Sequence, residues 1–257
     1  IMCGVLKQTE GDIYIKGINT RIDPVEAKCH IGFLPQQPPL HPDLTVEEYL
    51  DYSARLRYIP HKEIPAAITE VVEKCGISHF RRRLIRNLSG GYQQRVGIAQ
   101  AIIHNPDFII LDEPTNGLDP NQIVEIRNLI KQIAQERTVI LSTLILPEVQ
   151  ATCEYIYMVE KGKMVFSGTV DEFDNYILPT TIRVTLLAHP TVEELTMIPG
   201  LVAAQHLGEM DYRLQFADAR NMVDEIIETC GIHNWRLSQV YMEKSSLDVV
   251  FAELSKK

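Results

Sequence analysis

The chain has 257 residues, 45% of them apolar and 23% charged, and a net charge of −9 at neutral pH. That length holds one large domain, or one large domain with a small one, and the composition is that of a globular chain. The negative balance argues against nucleic acid as a partner, and no apolar run is long enough to span a bilayer.

The five cysteines (Cys3, Cys29, Cys75, Cys153 and Cys230) are scattered with no CxxC, which argues against a zinc site or a disulfide frame. The chain opens with IMCGVL, which reads as the end of a helix with Gly4 near its stop. Residues 12–18 alternate Ile13, Ile15 and Ile18 with polar positions and predict a strand. A second strand is predicted over 31–34, followed by Pro35, Gln36, Gln37, Pro38 and Pro39, a proline density that makes a rigid loop. Thr45 and Glu48 form a capping box that opens a helix running to about Arg57. Another helix is predicted over 64–74, stopped at Gly76. Arg81, Arg82, Arg83 and Arg86 follow, as either a solvated face or a phosphate or partner contact.

The stretch 88–119 is the richest in chemistry. Ser89 precedes Gly90 and Gly91 and a helix predicted over 92–103, with Val96, Ala99 and Ile103 on one side. Backbone amides freed by glycine at a helix N-terminus make an anion site. The unalternating strand 108–111 is predicted to be buried on both faces of a parallel sheet, and it ends in two carboxylates, Asp112 and Glu113. Acids at the carboxyl end of a strand lie where α/β folds place their chemistry. A phosphate cradle and a carboxylate pair this close together point to nucleotide chemistry.

Pro120 opens a helix to about Gln135, 138–141 is predicted as a further buried strand, and 147–153 as a helix. Strands 155–159 and 163–166 join through Lys161 and Gly162. The composition changes near Pro179, dividing the chain into domains 1–178 and 179–257. The second reads as strand 182–187, helix 191–197, strands 202–205 and 212–216, helix 219–229 and strand 235–241, a βαββαβ order of ferredoxin-like type. A last helix is predicted over 246–254, with Leu247, Val250, Phe251 and Leu254 on its apolar face. Nothing in this domain suggests catalysis. His30, His41 and His104 read as structural, and Tyr14 and Phe33 as core residues.

These residues resemble the ATP-binding subunit of an ABC transporter. Leu88-Ser89-Gly90-Gly91-Tyr92-Gln93-Gln94-Arg95 is similar to the ABC signature. Ile109-Ile110-Leu111-Asp112-Glu113-Pro114 resembles a Walker B strand with its glutamate, Asn116-Gly117-Leu118-Asp119 the D-loop, and Gln36 the Q-loop glutamine. Ser246-Leu247-Asp248-Val249-Val250-Phe251 resembles the end of the extension on ABC-2 type exporter subunits. The resemblance implies a P-loop NTPase-like α/β cassette with a mostly parallel sheet, plus a small α+β ferredoxin-like domain.

It also implies ATP and Mg²⁺ as ligands, a head-to-tail dimer of two cassettes, and a membrane permease as partner on the inner face of the cell membrane. Asp112 and Gln36 would hold Mg²⁺, and Glu113 would polarise the attacking water. Ser89, Gly90 and Gly91, with Gln94 of the same motif, would contact nucleotide held by the other copy, and Asp119 would sit at that interface.

Two departures are visible. The glycine-rich Walker A loop, which in relatives immediately precedes the stretch resembling Ile1–Leu6, is not among these residues, so the chain reads as N-terminally incomplete. Leu144 stands where relatives carry a histidine that contacts the γ-phosphate, and leucine has no hydrogen-bonding group. The alternatives are a hydrolysis-deficient cassette acting as a binding or regulatory module, and an ABC ATPase outside transport.

Overall fold

The computed structural model describes residues 1–176, 180–217 and 221–243. The chain divides into two compact units, Ile1–Thr152 and Cys153–Lys257. The division falls ahead of Pro179 because the hairpin beginning at Tyr155 belongs to the second unit.

The first unit begins without regular structure. Gly4 takes φ +70° and its N–H donates to the Ile1 carbonyl at 2.8 Å. The predicted helix end is therefore a single turn, since one such bond does not propagate a helix. The predicted strand 12–18 is a tight hairpin: β1 (Tyr14–Ile15) pairs antiparallel with β2 (Ile18–Asn19). Lys16 and Gly17 turn it with φ of +50° and +80°, the backbone of a primed turn. Ile15 is buried, whereas Tyr14 is 61% exposed and is not a core residue. Alternation along a paired hairpin sends it to the opposite face. Phe33 packs against the small cluster around Ile15 and Ile31.

Helix α1 (Pro24–Cys29) was not predicted, although Asp23 accepts from the Glu26 N–H and Pro24 occupies its first turn. Strand β3 (Ile31–Leu34) follows as read. Helix α2 (Val46–Leu56) carries the capping box between Thr45 and Glu48, and α3 (Ile64–Lys74) ends before Gly76 at φ +66°. Arg81 pairs with Glu47 at 2.9 Å and Arg86 with Asp43 at 2.7 Å, so two of the four arginines hold the chain to the start of α2.

Helix α4 (Gly90–Ile102), strand β4 (Phe108–Asp112), helix α5 (Pro120–Ala134), strand β5 (Thr138–Ser142) and helix α6 (Leu146–Thr152) complete the unit. The strands form a parallel sheet in the order β3-β4-β5, with Leu34 opposite Leu111 and Asp112 opposite Ser142. Ile109, Ile110 and Leu111 are buried in the middle of it. β5 was expected to be buried too, but it alternates between exposed and half-buried residues. Among the described residues it pairs on one side only.

The core joins Leu34, Ile109 and Leu111 of the sheet to Val96, Ile98 and Ala99 of α4 and to Ile126, Leu129 and Ile133 of α5. Helix and strand touch through two glycines. A Cβ on Gly32 would collide with the Ala101 carbonyl oxygen, and one on Gly97 would lie 2.7 Å from Leu34 Cδ1. α4 therefore rests its backbone directly on β3.

The second unit begins with an antiparallel hairpin, β6 (Tyr155–Glu160) and β7 (Lys163–Thr169), and helix α7 (Val170–Asp174). Then come β8 (Thr181–Leu186), α8 (Val192–Leu195), β9 (Leu201–Gly208), β10 (Asp211–Phe216), α9 (Met222–His233) and β11 (Leu237–Glu243). Their sheet runs β11-β8-β10-β9 with every neighbour antiparallel. That is the interleaved arrangement of a ferredoxin-like βαββαβ unit. The predicted last helix lies outside the described residues.

Replacing Gly32 with alanine is expected to lower stability by about 2 kcal/mol, the scale of an overpacked core, because a backbone oxygen cannot rotate away. Thermal unfolding of Gly32→Ala measures this, and an unchanged midpoint contradicts the contact.

A second test concerns Asp107, which accepts from Lys16 Nζ at 2.6 Å and lies 2.7 Å from His30 Nδ1. These bonds, Lys16 first, hold its carboxyl below the ordinary 3.8. A depressed carboxylate stabilises the fold above its unfolded value and ceases to do so as pH falls through the folded one. Asp107→Asn should thus unfold at lower urea than the parent at pH 7, with the gap closing as the pH drops below 3.8.

Candidate functional site

Parallel pairing brings three strand ends side by side. Asp112 is the last residue of β4 and lies opposite Ser142, the last of β5. Ser142 Oγ donates to Asp112 Oδ1 at 2.8 Å, and the Glu113 N–H donates to the Ser142 carbonyl at 2.8 Å. From beyond β3, Gln36 Nε2 donates to Glu113 Oε2 at 2.7 Å. Asn116 Nδ2 donates to the same oxygen at 3.0 Å. Gln36 and Glu113 are thus joined directly, while Asp112, next to Glu113 in the chain, is tied to Ser142.

Glu113 takes φ +44°, a left-handed backbone that costs a side-chain-bearing residue about 1–2 kcal/mol. Such a conformation persists only where its surroundings over-determine it. Here the amide is held by Ser142, the carbonyl by the Asn116 N–H at 3.1 Å, and the carboxylate by two amides.

The signature residues form a second group. α4 starts at Gly90, two residues earlier than predicted, with Ser89 at the N-cap. Ser89 is exposed and its hydroxyl makes no capping bond to its own helix. The first N–H groups of a helix have no partner within it, so the amides at this end remain available to an acceptor. The two glycines abut the next helix: a Cβ on Gly90 would lie 3.8 Å from Leu118 Cδ2, and one on Gly91 2.7 Å from Gln122 Cδ. Gln94 is buried within α4.

Asp119 caps α5 by accepting from the Asn121 and Gln122 N–H groups at 3.0 and 3.1 Å. Among the described residues, no side-chain hydrogen bond or ion pair joins Ser89 to Asp112 or Glu113. Leu144 stands between β5 and α6 with 86% of its surface exposed. The reading of the sequence missed Ser142 and the bond from Asn116, and also the buried hydrogen bond from Thr115 Oγ1 to Glu148 Oε2 at 2.7 Å. Only Ser142 had a signal, its place at the end of a strand parallel to β4.

The donor set at the strand ends suits a hard cation. Asp112 keeps one carboxylate oxygen beyond its bond to Ser142, and the Gln36 amide keeps its oxygen while its nitrogen serves Glu113. Two protein oxygens are what Mg²⁺ typically takes when water and phosphate complete its shell. Among the described residues, no group of three or more His, Cys, Asp or Glu could hold a metal.

Residues 1–116 match the family described as ABC transporter. The chain is 38% identical over 167 residues to the bacitracin transport ATP-binding protein BcrA of Bacillus licheniformis, covering 64% of this chain and 54% of that protein. It is 30% identical over 262 residues to the uncharacterized ABC transporter ATP-binding protein YhcH of Bacillus subtilis, covering 99% of this chain and 81% of that one. Among solved structures it is similar to cbiO1 of Clostridium perfringens, part of the ABC transporter complex cbiONQ. The TM-score is 0.61 at 28% identity, over 66% of this chain and 70% of that one. The chain belongs to the family of ABC transporter ATP-binding proteins.

Proposed function

We propose that this chain binds Mg-ATP and hydrolyses it as one of two cassettes that drive export through a separate membrane permease. The observation that carries the reading is the carboxylate pair at the sheet edge, with Glu113 held by Gln36 and Asn116 and Asp112 held by Ser142. Phosphoryl transfer to water is catalysed mainly by positioning and charge stabilisation, and a restrained carboxylate beside a restrained metal ligand supplies both.

Asp112 and Gln36 would hold Mg²⁺, which when bound neutralises charge on the β- and γ-phosphates. Glu113 accepts a hydrogen bond from the attacking water and aims its lone pair at phosphorus. Ser89 and the Gly90 and Gly91 amides grip the γ-phosphate of nucleotide bound to the second copy, with Asp119 beside them. The exposure of Ser89 and Gly90 at a helix start supports this reading. Gln36 links metal and catalytic base to a loop that a partner can move.

A membrane transporter partner is supported by relatives. One is named for bacitracin transport, and one solved neighbour is part of a transporter complex. Among the described residues no helix is long and apolar enough to cross a membrane. A second reading, a hydrolysis-deficient cassette acting as a binding module, is favoured by Leu144, whose side chain can neither donate nor accept.

In the full gene product, Glu113→Gln is expected to lower ATP turnover about 10²–10⁴-fold, the range of a positioned general base, while nucleotide binding survives. A turnover equal to the parent's removes Glu113 from the chemistry. Leu144→His is expected to raise turnover about 10²–10³-fold, as restoring a preorganised donor does. Should the rate not move, Leu144 does not stand in for a catalytic histidine.

A further inference from the structure

The Thr115–Glu148 pair is poorly explained by stability. Thr115 is 5% exposed and Glu148 4%. Thr115 Oγ1 donates to Glu148 Oε2 at 2.7 Å, while Glu148 Oε1 is buried without a partner. A buried carboxylate with one oxygen unanswered costs folding free energy, and an apolar pair of the same shape would be neutral or better. Hydrophobic packing could join α6 to the turn after β4 without this cost.

Its place suggests what the pair does. Thr115 lies two residues after Glu113, in the turn that Asn116 closes by donating to the Glu113 carbonyl. Glu148 lies in α6, four residues after Leu144. This buried side-chain hydrogen bond ties the turn to α6. A directional O–H···O bond fixes the rotation of the turn about β4, which apolar contacts leave free. The strained backbone of Glu113 needs that kind of restraint.

We infer that Glu148 is a positioning residue: through Thr115 it holds the 113–118 turn so that the Glu113 carboxylate stays aimed at the attacking water. The inference rests on the proposed role of Glu113. It differs from a packing role in one respect, since the pair lowers stability while raising turnover.

The test is Thr115→Val with Glu148→Met, an apolar pair of similar volume, in the full gene product. Its melting temperature should equal or exceed the parent's. Amide hydrogen exchange in residues 113–118 should quicken while the strand 108–112 stays protected. The kcat should fall about ten- to a hundredfold, the scale of an angstrom's misplacement, with KM for ATP unchanged. Glu148→Gln, which keeps an oxygen for Thr115, should retain most of the turnover. Exchange no faster than the parent's overturns the inference whether or not the protein hydrolyses ATP. A KM change in place of a kcat change also overturns it, as does a loss of turnover in step with a falling melting temperature. Failure of the Glu113 reading would be seen separately, as parental turnover in Glu113→Gln.

Discussion

The parallel pairing of Phe108–Asp112 with a strand on each side is the constraint from which the rest follows. With Leu111 opposite both Leu34 and Leu141, the strand can neither slide nor rotate without exposing buried side chains. Its end is thereby fixed against the ends of its neighbours. Asp112 meets Ser142, and Glu113 meets a loop arriving from the other side. One apolar strand thus decides which polar groups converge, although it contributes only the first of the two acids itself.

Close packing of helix on strand extends that constraint to the signature. Gly97 in the helix 90–102 faces Leu34 of the neighbouring strand and also Pro38, just beyond Gln36. The two ends of this helix are rigidly related, so its glycine start and the glutamine loop share one support. At its other end Gly90 and Gly91 lie against Leu118 and Gln122, directly after the turn that carries Glu113. The glycine start of this helix and the turn after the strand 108–112 thus pack directly against each other. Interiors packed to this density have discrete alternative arrangements rather than continuous ones.

What was legible in the sequence is what local chemistry determines. The Thr45–Glu48 box, Pro120 behind its capping aspartate and the apolar run ending at Asp112 lie within a few residues of the features they specify. The Lys16–Gly17 turn escaped notice because lysine is not a usual left-handed residue. The helix 24–29 was missed for its brevity, despite a well-formed cap. The exposure of the strand 138–142 depends on what pairs with it, which its own residues do not record. In the site, the motif resemblance pointed to Gln36, Asp112 and Glu113, whereas the bond of Gln36 to Glu113 crosses 77 positions and needed coordinates. Ser142 lies 30 positions from Asp112 and Glu148 33 from Thr115, and folding alone brings each pair together.

Two departures from local preference fall about the turn after the strand 108–112, although positive-φ residues and unpartnered buried atoms also occur elsewhere among the described residues. Glu113 holds a left-handed backbone, and Glu148 buries a carboxylate oxygen without a partner. Both lower stability, and both lie about a single turn. A chain selected only for folding would relax them one at a time, since each could be removed by a nearby substitution. Their coexistence implies that the turn serves an orientation incompatible with the relaxed backbone. The orientation in question is that of the Glu113 carboxylate, at the carboxyl end of the central strand and held by amides from two loops. A carboxylate held this way accepts a further hydrogen bond without reorganising, the condition under which preorganised groups lower a barrier.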